Sequence, residues 1–183
     1  VAHPFAVGIS VTSALENLVR PDVRPPSLAP NPEMDPLVLE DALVEGQLLD
    51  VRFDAMRKTI GALFDFKGGL QLREGNTAVL VAVGVENFEW NSGEPSSVPT
   101  VWPVMGSRPH TSGHRWAIDL SLLGNGGLGI VAQRAHFYGV DVPGMDDAQP
   151  VLDEADDATV RTGFVSWHSP FTLVNATSFE GTL

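Results

Sequence analysis

The chain has 183 residues, 43% of them hydrophobic and 19% charged, a balance that excludes a wholly disordered polypeptide and fits one domain with appendages. Its 23 acids against 11 lysines and arginines give a formal charge of -12 with no basic run to offset it, which argues against nucleic acid or an anionic membrane as partner. The lack of cysteine removes disulfides, thiolate metal sites and thiol nucleophiles.

The opening residues VAHPFAVGIS show neither the basic region nor the apolar stretch of a secretory leader, and no long apolar run follows, so the expectation is a soluble, cytoplasmic protein. Ser13 stands three residues before Glu16, a capping-box spacing, with Leu15, Leu18 and Val19 on one helical face; this predicts a short helix over residues 13–19. Residues 21–36 then carry six prolines in sixteen positions, which withhold backbone donors and favour an extended arm. Residues 1–36 are therefore read as a helix and a Pro-rich arm, serving as a plain linker or docking on a neighbour. Residues 37–183 are read as a single β domain.

From residue 37 the period changes. Leu49, Val51 and Phe53 alternate with Asp50, Arg52 and Asp54, and the alternation resumes at Ile60, Ala62, Phe64 and Phe66, as two strands of a hairpin would. Val79 to Val83 are apolar without alternation, the pattern of a strand covered on both faces, and Gly84 marks a bulge or a close backbone contact. TVWPVM reads as a short edge strand because Pro103 lacks a donor, and SRPHTSGH as a loop. Trp116, Ile118, Leu120 and Leu122 alternate again, and Asn125-Gly126 predicts a type I′ turn into a return strand. Residues 145–158 form an acidic loop, and a final extended segment covers one side of the sheet. The fold class expected is mainly β: an antiparallel twisted sheet folded as a sandwich or open barrel, with a short N-terminal helix.

Each chemical motif has a plain structural counterpart. Gly124, Gly126 and Gly129 spell the dinucleotide-binding pattern, but that pattern needs a strand-to-helix turn and the flanks here are β, so a tight hairpin accounts for it. His110 and His114 stand four apart, as zinc ligands on a helix do, yet they flank Gly113 and would need His136 or Asp119 from afar. Asp146, Asp147, Asp153, Glu154, Asp156 and Asp157 lack the EF-hand spacing and read as a solvated face that attracts a basic partner. Ser166, His168 and Ser169 lie too close in sequence for a triad, and Asp50 with Asp54 is an ordinary charged strand face. Asn175-Ala176-Thr177 matches the glycosylation pattern without a secretion signal to accompany it. No catalytic residue, cofactor or metal is expected. Trp116 follows the core alternation, whereas Trp90 and Trp102 lie at strand ends and are the better interface candidates.

The order LEDALVEGQLLDVRFD, TIGALFDF, TAVLVAVGVENFEW and RWAIDLSLLGNGGLGIVAQRAHFYGVDV resembles uncharacterised bacterial all-β proteins akin to immunity proteins of toxin systems, over roughly residues 39 to 142. The resemblance implies a binding protein without catalytic residues and carries no functional residue across. Three functional expectations result. The first is a binding or inhibitor protein that meets a basic protein through its acidic surface. The second is a ligand-binding or metal-dependent β protein with His110, His114, Trp90 and Trp102 at a pocket mouth. The third is an assembly subunit docking through its Pro-rich arm.

Overall fold

A computed structural model describes residues 13–20, 35–67, 75–93, 101–145, 158 and 162–181. Its strands are β1 (Gln47–Asp54), β2 (Thr59–Asp65), β3 (Thr77–Asn91), β4 (Trp102–Ser112), β5 (Arg115–Leu122), β6 (Gly126–Asp141) and β7 (Thr172–Glu180). They form one antiparallel sheet in the order β3-β2-β1-β4-β5-β6-β7, and β3 pairs with β6 as well. That extra pairing bends the sheet into a ring. The ring's seam is slight, since β1 meets β4 only at Gln47↔Pro103 and Leu48↔Trp102, so the barrel is open on that side.

The two long strands are shared between both walls. Residues 77–83 of β3 lie between β2 and β6, whereas residues 85–91 pair with β6 alone. On its other edge β6 pairs with β5 over residues 126–132 and with β7 over residues 134–141. Gly84, at φ +69°, precedes a register shift between Val85 and Asn87, the bulge its position predicts. Side chains fill the ring: Phe64, Leu80, Trp116, Ile118 and Phe137 are all buried, and the Trp116 indole N–H donates to the Leu37 carbonyl at 3.0 Å. A small barrel packed in this way is a core and not a channel.

The continuous apolar run in β3 has a direct explanation. Ala78, Leu80 and Ala82 face the barrel interior, while Val79, Val81 and Val83 join Leu63, Tyr138 and Val140 in a second core on the outer face. Leu15, Leu18, Val165 and Trp167 cover that core. Residues 13–20 therefore pack on the β domain.

Several expectations shift. The predicted short helix is a 3-10 turn over Leu15–Val19; Ala14 is its N-cap and no side chain caps it, because Ser13 instead accepts from the Asn17 amide at 3.1 Å. SRPHTS is not a loop but the continuation of β4, followed by a two-residue turn at Gly113 and His114. The hairpin after β5 forms with a three-residue loop over residues 123–125 in place of the two-residue type I′ turn at Asn125-Gly126: Gly124 (φ 76°) and Asn125 (φ 61°) take the left-handed conformations, and Gly126 already pairs with Leu122. In β1 a register shift between Leu48 and Asp50 breaks the alternation, so Leu49 packs against the outer core while Val51, two residues on, packs against the inner one. The final segment covers the sheet as expected, and it also supplies β7.

Candidate functional site

Trp90 and Trp102 come together. Their rings meet edge to face with centroids 5.6 Å apart, one from the end of β3 and the other from the start of β4. Trp90 is 41% exposed, and farther along the same strand Phe88 stacks on Phe53, itself 53% exposed, with centroids 6.1 Å apart. These aromatic side chains line the open side of the barrel. Beyond Gly84, β3 is also the outer strand of the wall it forms with β6, β5 and β4, so among the described residues its far edge has no strand partner.

The opposite face of that wall is polar. Asn87, Glu89 and Asn91 point outward from β3, and β6 opposes them with Val131, Gly129 and Gly127. Asp119 and Ser121 of β5 continue the same two glycine rows. Because Gly127 and Gly129 carry no side chains, a shallow trough of about 450 Å³ runs between Glu89, Trp90 and Asn91 on one side and Asp119 on the other. A β-carbon at Gly129 would come 3.4 Å from Asp119 Oδ1 and 3.7 Å from the Glu89 β-carbon. Among the described residues neither carboxylate has a cation within ion-pair distance; Glu89 accepts only from the Asn87 amide, at 3.2 Å. The glycine-rich motif thus lies in an antiparallel hairpin, which lacks the helix N-terminus that a pyrophosphate site requires.

The histidines do not share this place. His110 stands opposite Ala117 near the far end of β4 from Trp102, and His114 occupies the β4–β5 turn, both exposed. The four residues of the expected pocket mouth are therefore not assembled around one opening. His136 lies elsewhere, buried opposite Val81, with Nδ1 3.0 Å from the Ser178 hydroxyl. Among the described residues no three histidines or carboxylates gather as metal ligands would. Asn175 of the glycosylation pattern is buried in β7, not displayed on a loop.

Asp146, Asp147, Asp153, Glu154, Asp156 and Asp157 lie outside the described residues, as does most of the Pro-rich arm. Sequence reasoning missed the pairing of Glu89 with Asp119 across Gly129. Its only trace was the alternation of glycine with leucine or isoleucine after Asn125, which marks a strand with one bare face.

No protein-family model matches the chain, and no curated protein matches it. One solved structure, of an uncharacterized protein from Neisseria gonorrhoeae, aligns with 51% of this chain and 90% of its own at 17% identity and a TM-score of 0.39. Among the described residues no helix is long and apolar enough to cross a membrane.

Proposed function

We propose that this is a non-catalytic binding protein whose partner is a basic protein, received on the free edge of β3. The observation that carries the reading is the half-exposed Trp90, held edge to face by Trp102 at the free edge of β3, with Glu89 and Asp119, neither in an ion pair among the described residues, on the opposite face of the same wall. A rigid aromatic anchor with a polar rim is the composition that concentrates binding energy in protein interfaces. The net charge of -12 would steer a cationic partner toward the molecule, and the strand-interior glycines give a partner's side chains close approach to backbone. The resemblance to immunity proteins of toxin systems belongs to this proposal, as an inhibitor covering a basic toxin.

The test is affinity capture from lysate of the native host at low salt, run in parallel with the native chain, Trp90→Ala, and the double variant Glu89→Gln with Asp119→Asn. The expected result is one basic protein held by the native chain, released by salt and absent from both variants. The same proteins held equally by all three would overturn the reading.

A further inference from the structure

Away from that edge, the tip of the β1–β2 hairpin and the 3-10 turn enclose a groove of about 810 Å³ on the outside of the barrel. In a chain with only 11 basic residues, three arginines line it: Arg20, Arg52 and Arg57. Arg57 is committed to Asp54, which accepts its guanidinium at 2.9 Å and its backbone N–H at 3.0 Å. Arg52 is different. Its guanidinium carbon lies 5.0 Å from the centroid of the Trp167 ring, and its nearest carboxylate oxygens, on Asp50 and Glu16, are 3.8 and 4.0 Å away. Those distances moderate its charge without satisfying its N–H donors.

Each of these oxygens also has another neighbour. Asp50 Oδ2 accepts from the Trp167 indole N–H at 2.7 Å, and Glu16 Oε2 faces His168 Nδ1 at 3.4 Å. Arg52 is thus held in place by an aromatic face while its side chain remains 44% exposed toward the groove. Arg20, at the end of the 3-10 turn, is exposed and has no ion pair among the described residues. Val19 and Met56 add apolar surface, and Met56 is 95% exposed.

We propose that this groove binds a small organic monoanion: a carboxylate received by the Arg52 fork beside Arg20, carrying an apolar body that lies against Val19 and Met56. A guanidinium presents parallel N–H donors matched to a carboxylate, and the volume is that of a site for a small molecule. The net charge of -12 repels polyanions at long range, which favours a single negative charge on a largely apolar ligand.

Phenylacetate is the probe, with phenylacetamide and acetate as controls, followed through the side-chain N–H resonances of Arg52 and Trp167 in the full chain. Saturable shifts with phenylacetate are expected, with affinity at least about tenfold weaker for either control and about tenfold weaker in Arg52→Gln. Arg20→Gln, at an exposed position, should weaken binding severalfold and keeps the test decisive if Arg52→Gln does not fold. Equal shifts with phenylacetamide, equal affinity for acetate, unchanged binding in the variants, or no response at about 50 mM would each overturn the proposal.

Discussion

The side-chain amide of Asn76 grips the backbone of Val142 in both directions: Nδ2 donates to the Val142 carbonyl at 3.0 Å, and Oδ1 accepts from the Val142 N–H at 3.0 Å. Both residues are buried, and the main-chain pairing of β3 with β6 ends at Thr77↔Val140. The amide therefore adds one rung beyond the end of the ladder. Asn76→Ala would leave two buried backbone groups without partners, and should cost about 2 to 4 kcal/mol in urea denaturation. A loss below ~1 kcal/mol would mean that water replaces the amide there.

Val81 is 1% exposed and sits in the outer core with Leu18 and Trp167. Its truncation to alanine should destabilise by about 2 to 4 kcal/mol, through lost burial and the cavity left behind. A variant melting at the parent temperature would contradict the two-sided burial of β3.

That two-sided burial was legible in the sequence because five apolar residues in succession leave no polar face to expose. The β1–β2 hairpin was legible from its alternation. The course of β4 was not: Pro109, Thr111 and Ser112 carry loop chemistry, and the strand forms because β5 pairs with it residue by residue. Pro109 is tolerated because β4 meets β1 only at Trp102 and Pro103, which leaves that edge of the strand unpaired at Pro109 among the described residues. At the candidate site, Trp90 and Trp102 were legible as strand-end aromatics. Their contact, and the meeting of Glu89 with Asp119 over Gly129, depend on pairing between distant strands, which spacing along the chain does not encode.

Tyr138 is the protein's sole tyrosine, and burial, with the Glu180 charge adding to it, pushes its phenol up to about 12. The folded state keeps a proton that the unfolded chain releases near 10, so this contribution to stability is complete below pH 10 and is lost as pH rises from 10 toward 12. Ultraviolet titration should show little phenolate at pH 10 in the native protein, whereas the protein in denaturant should be half ionised there. Native ionisation at pH 10 would place the ring in water.

His136 is shifted the other way. Burial holds its imidazole below the ordinary value of 6.5, the Glu180 charge opposes this and the Arg134 charge reinforces it. The unfolded chain takes up a proton that the folded state resists, so stability from the neutral ring is intact above pH 6.5 and falls as pH drops through 6.5 toward the lower folded value. His136→Gln should flatten the fall in denaturation midpoint between about pH 7 and 5. An unchanged slope would assign the acid sensitivity to carboxylates.

The sharing of β3 and β6 between both walls has a kinetic consequence. β2 pairs with β3, β5 and β7 pair with β6, and β1 and β4 are reached through β2 and β5, so β1-β2-β3 and β4-β5-β6-β7 are two runs of consecutive strands, and the ring cannot close before residues 77–91 find residues 127–140. That search spans a long intervening segment, and its loop-closure entropy must be met before the two runs of strands stabilise each other, which places refolding in the millisecond-to-second regime of non-local β proteins. The same ribbon couples the two runs in unfolding, because parting β3 from β6 opens the barrel interior that both runs bury.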